Sequence, residues 1–229
     1  MHMTRKSFLL RNVRVTPLDE TTASRYLLHW HAGDLYNRPD TFPRITSQQL
    51  FGNDRPLVLE VGCGTGEFIC AVAAAHPHTN FVGTDVNLKS LYAAVNTASA
   101  LALDNILFIK APVQYLYPLL APGSLHMVYV HFPDPFLKPK HRKRRLLTPA
   151  FFDHMHRALV PGGKISIVTD NRELFMQVLE LVENDPRFEK THPERYLTGY
   201  EPEVKSRYQL YWEKHGATIY RLELRRKQG

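Results

Sequence analysis

The sequence predicts an α/β fold built on a doubly wound, mostly parallel sheet, and three observations lead to it. From Leu57 onward, short runs rich in β-forming residues alternate with longer runs of helical character, as in a parallel sheet covered by helices. The first β-rich run leads through a glycine-rich turn into an apolar helix. The chain has 229 residues, of which 44% are hydrophobic, and this length suits one α/β domain with extensions.

Each element follows from a local pattern. Strands are expected at Leu57–Val61, Asn80–Asp85, Ile106–Lys110, His126–Phe132, Lys164–Thr169 and Ala217–Arg225. Helices are expected at Gly66–Ala75, Leu88–Leu103, Pro149–Leu159 and Arg172–Glu183. Pro161-Gly162-Gly163 is expected to stop the third helix and turn the chain into the next strand.

The two flanks of this region have a different character. Residues 1–50 carry several early arginines and few regular signals. We expect them to form a basic arm or short helical preface, followed by one domain over residues 51–229. The segment Pro186–Tyr208 is rich in proline, charge and aromatic residues, and long connections of this kind are usually functional or mobile.

Composition excludes several classes of protein. The longest apolar stretch, Phe68–Ala75, has eight residues, whereas a membrane helix needs roughly 20. The apolar run Phe8-Leu9-Leu10 is too short for a signal peptide. We therefore expect a cytoplasmic protein without membrane contact, either monomeric or homodimeric. The two cysteines are expected to be reduced thiols, and no group of Cys, His and acidic residues has the spacing of a metal site.

The positive charge is concentrated in one segment. Six of the eight residues from Lys138 to Arg145 are Lys or Arg, and without them 23 basic residues face 22 acidic ones, so the net charge falls from +7 to +1. Such a block binds phosphate groups. A charge run alone is more often a solvated helix face or a localisation tag, but this one lies in mid-chain between two apolar segments.

The glycine-rich turn indicates a cofactor site. Leu57–Val61 is followed by Gly62-Cys63-Gly64-Thr65-Gly66 and a helix, an arrangement in which the backbone approaches a ligand closely. The spacing departs from the dinucleotide fingerprint Gly-x-Gly-x-x-Gly. The pattern acid-x-Gly-x-Gly-x-Gly, beginning at Glu60, instead resembles the first motif of class I methyltransferases, which use S-adenosylmethionine. Asp85 ends the next strand, where a carboxylate can accept both ribose hydroxyls of an adenosine.

A second motif ends the fourth strand. Phe132-Pro133-Asp134-Pro135-Phe136 lies at the carboxyl edge of the sheet, where open α/β sheets bind ligands. Proline on both sides restricts the backbone around Asp134. A rigid acid beside the cofactor is a candidate reaction centre, although a strand-terminating turn with a solvated Asp is the alternative.

These residues together resemble the bacterial tRNA (guanine-N7-)-methyltransferases of the TrmB type. The resemblance rests on the Phe-Pro-Asp-Pro-aromatic motif followed by the basic run, on Val168-Thr169-Asp170, and on Trp212-Glu213-Lys214-His215-Gly216. It implies a class I fold with an antiparallel C-terminal strand, and methyl transfer from S-adenosylmethionine to guanine N7 in the variable loop of tRNA.

The resemblance also implies roles for single residues. The cofactor pocket would be lined by Glu60, Asp85 and Asp134, beside Gly62 and Gly64 of the glycine turn and Pro112 after the third strand. The tRNA would face Lys138, Asp170 and Glu213, while Arg142, Arg144 and Arg145 of the basic block would bind its phosphates. Three positions depart from the usual pattern: the family more often has an acid or amide at the position of Pro112, Thr at that of Leu210, and Glu at that of Asp85.

The chemistry of N7 suits these assignments. Guanine N7 carries a lone pair and no proton, so its attack on a sulfonium methyl needs no general base. Placement and electrostatics then dominate, and Asp134 would stabilise the positive charge that the purine gains. Asp170 or Glu213 could accept the N1–H and 2-amino donors that distinguish guanine from adenine.

Two other functions fit part of the pattern. An exocyclic-amine methyltransferase of RNA or DNA carries an Asp/Asn-Pro-Pro-aromatic motif at the same strand end, whereas here an acid separates the two prolines. A non-catalytic RNA-binding protein with a decayed cofactor fold would account for Pro112 and Leu210.

Overall fold

A computed structural model describes residues 15–136, 144–199, 201–202 and 204–228. Its strands are β1 (Leu27–Leu28), β2 (Leu57–Val61), β3 (Asn80–Asp85), β4 (Ile106–Lys110), β5 (Leu125–His131), β6 (Leu159–Thr169), β7 (Phe188–Lys190), β8 (Leu197–Thr198) and β9 (Tyr220–Arg226). Its α-helices are α1 (Glu20–Tyr26), α2 (Ala32–Asn37), α3 (Ser47–Phe51), α4 (Glu67–Ala75), α5 (Leu88–Ala100), α6 (Val113–Leu116), α7 (Pro149–Ala158), α8 (Arg172–Glu183) and α9 (Arg207–Lys214). Short 3-10 helices span Pro39–Thr41, between α2 and α3, and Tyr117–Leu119, directly after α6.

The described strands form one mixed sheet in the order β1-β4-β3-β2-β5-β6-β9-β7, with β8 also paired to β9. Every pair from β1 to β6 is parallel, and β9 runs antiparallel to β6, β7 and β8. The chain winds outward from β2 to β4 and then returns to place β5 on the other side of β2. This reversal opens a crevice at the carboxyl ends of β2 and β5, where α/β sheets bind ligands.

Two layers of helices bury the sheet. All five residues of β2 are buried, as expected for a central parallel strand. Its side chains alternate between faces, so Leu57, Leu59 and Val61 pack in one core cluster with α7 and α8, while Val58 packs in another with α4 and α5. Both faces of the sheet are therefore packed against helices, which fixes the strands that border the crevice.

The segment before β2 is packed against the same sheet. β1 pairs in parallel with β4, and the Tyr26 hydroxyl at the end of α1 donates a 2.8 Å hydrogen bond to the carbonyl of Leu103. Asn96 on α5 donates to the carbonyl of Thr16. Residues 15–51 thus supply an edge strand and its covering helices, and the division at residue 50 stays a prediction.

The expected central strands are confirmed and several boundaries shift. β2, β3 and β4 have the predicted bounds. β6 begins at Leu159, which was predicted to end the preceding helix, because Leu159 already pairs with Leu125. The predicted turn Pro161-Gly162-Gly163 therefore lies inside β6, where the register with β5 shifts. β9 begins at Tyr220 and not at Ala217, since the N–H of Ala217 donates to the carbonyl of Trp212 and closes the end of α9. α5 ends at Ala100, three residues before the predicted end, and Ala102 adopts a left-handed φ of 50°.

No helix in the described part of the chain is long and apolar enough to cross a membrane. Among the same residues, no group of three or more His, Cys, Asp and Glu side chains is arranged to hold a metal ion.

Gly66 joins the glycine turn to α4 at a point where a side chain has no room. Its φ is 78°, and a Cβ built on it would lie 2.5 Å from the Cβ of Ala94 on α5. We predict that Gly66→Ala lowers the free energy of unfolding by about 2 to 4 kcal/mol, because backbone strain and overpacking act together. Chemical denaturation measures this loss.

Gly162 offers a matched control for that substitution. Its φ of 80° is nearly the same, and a Cβ there would meet no atom within 4 Å. Gly162→Ala should therefore cost about 1 kcal/mol, from backbone strain alone. Equal losses in the two variants would show that contact with Ala94 adds nothing.

Candidate active site

The two motifs singled out in the sequence meet at one edge of the sheet. β2 and β5 are neighbours, with Glu60 opposite Tyr129, so the turn after β2 lies beside the chain that leaves β5. A cavity opens at this edge. Its lining includes Gly62, Asp85, Pro112 and Asp134, so the structure brings together four of the six residues predicted to hold the cofactor.

The turn after β2 is tied to the end of β3. The N–H groups of Gly62 and Cys63 both donate to the carbonyl of Thr84, at 2.7 and 3.0 Å. The N–H of Gly64 donates to Oδ2 of Asp85 at 3.0 Å, and the N–H of Asn87 donates to Oδ1 at 2.8 Å. Each carboxylate oxygen has a second lone pair, so Asp85 is fixed in position and can still accept a ligand hydroxyl.

A second, narrower recess continues from Gly62 towards the other side of the turn. The residues that line it are Glu60, Gly62, Cys63, Thr65, Glu67, Phe68, His131, Phe132, Ser206, Arg207 and Tyr208. Glu60 is 3% exposed. The predicted cofactor residue Glu60 therefore lies one compartment away from Asp85, and Gly62 lines both compartments.

Gly64 lies at the middle of the turn, close to the ring of Tyr208. Its φ is 57°, and a Cβ there would meet only the ring of Tyr208, at 3.9 Å. The turn is thus a shallow cradle with an acid at each end, Asp85 in the cavity and Glu60 in the recess. This arrangement fits an elongated ligand with a sugar diol at one end and an amino group at the other.

The segment around Asp134 is held in a strained backbone. Phe132 and Phe136 have φ values of 51° and 39°, a region that bulky residues rarely adopt. The N–H of Phe132 donates to the carbonyl of Val168 at 2.7 Å, which extends the β5–β6 ladder to the first of these residues. Asp134, between them, is half-buried in the cavity wall. Such strain persists where the surroundings hold it and is common at functional sites.

The end of the basic block contacts this motif. The guanidinium of Arg144 lies 4.3 Å from the ring centre of Phe136. Arg145 donates from Nε to the carbonyl of Phe136 at 3.1 Å and from Nη1 to Gln177 on α8 at 3.3 Å. Both residues therefore support the segment that carries Asp134. Lys138 and Arg142 lie outside the described residues.

The other two residues predicted to meet the substrate lie on neighbouring elements. Asp170 directly follows β6 and is half-buried. Glu213, on α9, accepts hydrogen bonds from Gln209 at 2.7 Å and Lys205 at 2.9 Å. Burial acts to raise the pKa of Glu213, but these hydrogen bonds and the Lys205 charge outweigh it and hold the pKa below its ordinary value. Neither acid is part of the lining of the cavity or of the recess.

Most residues of the recess were not predicted as site residues, and His131, Arg207 and Tyr208 are among them. Arg207 and Tyr208 begin α9, about 140 residues after the glycine turn, and local patterns give no sign of that contact. His131 ends β5 and is 9% exposed, beside the ring of Phe68 at 4.6 Å between centres. The sequence indicated Tyr208 only as the last aromatic residue of the connection Pro186–Tyr208.

Comparisons with known proteins agree on one family. A family model described as a putative methyltransferase matches residues 54–222. A tRNA (guanine-N(7)-)-methyltransferase of Rubrobacter xylanophilus is 51% identical over 222 residues, which cover 97% of this chain and 99% of that protein. A protein of the same name from Chloroherpeton thalassium is 37% identical, over 94% of this chain and 95% of that protein.

Solved structures are similar in fold. An antibiotic-related methyltransferase has a TM-score of 0.56 at 15% identity and covers 77% of this chain and 90% of its own. The antibiotic-resistance methyltransferase Kmr has a TM-score of 0.53 at 17% identity, over 88% and 95%. At this identity the likeness concerns the fold alone, and it confirms the predicted class I methyltransferase architecture.

The buried ring of His131 should make the stability of the fold sensitive to acid. Burial, aided by the charge of Arg221, lowers the pKa of His131 from 6.5 to about 3. Between these two pH values the unfolded chain binds a proton that the folded chain does not, so the free energy of unfolding falls as the pH falls. This residue alone accounts for a slope of up to about 1.4 kcal/mol per pH unit.

Denaturation of the wild type and of His131→Gln at pH 7, 6 and 5 measures that slope. We predict a shallower decline in the variant, since other histidines contribute equally to both proteins. His78→Gln, at an exposed position, is the control and should keep the wild-type slope. An unchanged slope in His131→Gln would contradict the prediction.

Proposed function

The chain belongs to the tRNA (guanine-N7-)-methyltransferase family, and we propose on that basis that it transfers a methyl group from S-adenosylmethionine to guanine N7 in the variable loop of tRNA. The product is 7-methylguanosine. One observation carries the proposal within this structure: the cavity at the carboxyl edge is lined jointly by Gly62, Asp85 and Asp134. Asp85 would accept the ribose hydroxyls, the backbone at Gly62 would contact the ligand, and Asp134 is a second acid that lines the same cavity. The methylation of tRNA would take place in the cytoplasm.

The described residues fit S-adenosylmethionine. Asp85 would accept the ribose hydroxyls with the lone pairs left by its two backbone donors, and Glu60 would meet the amino group of the methionine part. Gly62 and Gly64 would let the ligand approach the backbone closely, and Pro112 lines the same cavity as Asp85. The cofactor, when bound, supplies an electrophilic methyl group on a positively charged sulfur.

Asp134 would act through its charge. N7 of guanine has no proton to lose, so the site needs no general base. Methyl transfer leaves positive charge on the purine, and a carboxylate held close to the ring stabilises this charge as it develops. The strained backbone at Phe132 and Phe136 limits how far Asp134 can move. A fixed charge of this kind requires little rearrangement during the reaction.

The tRNA would be held by residues of the basic block and by two acids outside the cavity lining. Lys138 and Arg142 would bind phosphates, which set register without reading sequence. Arg144, which is exposed, could also reach a phosphate. Asp170 or Glu213 would accept the N1–H and 2-amino donors of guanine. Since its pKa is lowered, Glu213 is ionised and can accept hydrogen bonds from the base. Its carboxylate oxygens already accept from Lys205 and Gln209, so the base would use their remaining lone pairs.

The nature and place of the modified base test the proposal. Unmodified tRNA is incubated with S-adenosylmethionine carrying a labelled methyl group, then digested to nucleosides for mass spectrometry. A parallel sample is treated with borohydride and aniline, which cleave the chain at 7-methylguanosine. We expect label in 7-methylguanosine and one cleavage in the variable loop. Label in an exocyclic-amine product would support the alternative enzyme, and RNA binding without cofactor binding would support a decayed fold.

Loss of the Asp134 charge should separate catalysis from binding. We predict that Asp134→Asn lowers the rate of methyl transfer by about 10²- to 10³-fold, as for removal of other groups that stabilise transition-state charge, while tRNA affinity stays within about threefold. Single-turnover kinetics and equilibrium binding measure the two quantities. Asp104→Asn, at an exposed position on the edge near β4, is the matched control and should behave as wild type. Equal losses of rate and affinity would point to a binding role for Asp134.

Two residues of the basic block, Arg142 and Arg145, should have different roles in tRNA binding and catalysis. We predict that Arg142→Gln weakens tRNA binding and lowers the slope of log affinity against log salt by about 0.7 to 0.9, the value for one lost phosphate contact. Arg145→Gln should change this slope less and lower the methyl-transfer rate more, because Arg145 holds the carbonyl of Phe136.

Neutralising Arg142, Arg144 and Arg145 together should weaken tRNA binding and flatten its salt dependence further. An unchanged salt slope in this triple variant would show that the positive block does not bind phosphate. The three variants are compared at four or more salt concentrations.

A further inference from the structure

Tyr208 covers the middle of the glycine turn. An added Cβ on Gly64 would lie 3.9 Å from Cε2 of this ring. The same ring is stacked on Phe132, with centres 6.2 Å apart and planes 22° from parallel. Tyr208 is thus close both to the glycine turn and to the residue that leads into Pro133 and Asp134.

The start of α9 is anchored to the start of α4. Arg207 forms an ion pair with Glu67 at 2.5 Å, and Thr65 donates from Oγ1 to the same carboxylate at 2.6 Å. Ser206 caps α9 by accepting the N–H of Gln209 at 3.2 Å. These contacts attach the segment that carries Tyr208 directly to the glycine turn, so the position of the ring follows that of the turn.

The surroundings of the ring are acidic. Burial first, and then the charges of Asp85, Asp134 and Glu67, raise the pKa of Tyr208 to about 12, against the opposing charge of Arg207. The phenol therefore stays neutral at physiological pH. A neutral aromatic face close to several carboxylates is a favourable environment for a cation.

A ligand held by Asp85 at its ribose and by Glu60 at its amino group would have its middle part near Gly64 and Tyr208. In S-adenosylmethionine the atom that joins these two parts is the sulfonium sulfur, which carries a positive charge. In S-adenosylhomocysteine, the product of methyl transfer, the same sulfur is neutral. The two ligands differ at this point by one methyl group and one charge.

We propose that the aromatic face of Tyr208 binds the sulfonium centre and makes the site prefer S-adenosylmethionine to S-adenosylhomocysteine. This inference rests on the proposed function for the identity of the methyl donor. It assigns Tyr208 to cofactor binding, in addition to Glu60, Gly62, Gly64, Asp85, Pro112 and Asp134. Its consequence is that the spent cofactor leaves more readily than the fresh one, since it lacks the charge that the ring attracts.

The test measures the affinities of the wild type, Tyr208→Phe and Tyr208→Leu for three ligands by calorimetry without tRNA. The ligands are S-adenosylmethionine, S-adenosylhomocysteine and sinefungin, in which a carbon that carries a protonated amine replaces the sulfonium sulfur and its methyl group. We expect Tyr208→Leu to weaken the two charged ligands by about fivefold to tenfold, in line with a desolvated cation–π contact, and the neutral ligand by less than about twofold. Tyr208→Phe keeps the ring and should keep the wild-type preference.

Tyr36→Leu serves as a matched control, because Tyr36 is 72% exposed and lies on α2, away from the glycine turn. Thermal unfolding of each variant shows whether it is folded at the temperature of the titration. Equal weakening of all three ligands by Tyr208→Leu would overturn the proposal and assign the ring a purely steric contact. Tighter binding of all three would also overturn it, by showing that the ring obstructs the site.

The outcome is separable from that of the proposed function. A wild type that binds none of the three ligands would defeat both. A loss of preference in Tyr208→Leu, together with a wild type that modifies no guanine in tRNA, would uphold the role of Tyr208 and defeat the proposed substrate.

Discussion

The hydrogen bond from the N–H of Gly64 to the carboxylate of Asp85 joins the turn after β2 to the end of β3. With the two N–H groups that Gly62 and Cys63 donate to Thr84, it fixes the shape of the turn and the position of the acid together. Gly66 then brings α4 against Ala94 on α5. The glycine turn that borders the cavity is therefore held by the packed core itself.

The opposite wall depends on a different balance. The segment from Phe132 to Phe136 has two residues in the left-handed region, which costs of order 1–3 kcal/mol at each position. Val168 holds the first residue and Arg145 the second, each through a backbone hydrogen bond. Arg144 and Arg145 belong to the basic block and both contact Phe136. Under the proposed function, the same two residues would support the acid and lie close to the bound nucleic acid.

The central sheet and much of the cavity could be predicted because their signals are local. β2, β3 and β4 are short apolar runs with clear ends, and parallel strands bring the residues at those ends to one edge. The contact of Arg145 with Phe136 and the position of Tyr208 over Gly64 depend on how distant segments pack, which periodicity does not encode. The start of β9 was predicted wrongly because the end of α9 uses the backbone groups of the residues in between.

The most direct test is a crystal structure of the chain with S-adenosylhomocysteine and a short tRNA fragment that contains the variable loop. We expect the ribose at Asp85, the sulfur above the turn from Gly62 to Gly66, and the guanine N7 between that sulfur and the Asp134 carboxylate. A ligand found at the opposite end of the sheet, or a guanine bound away from Asp134, would contradict this expectation.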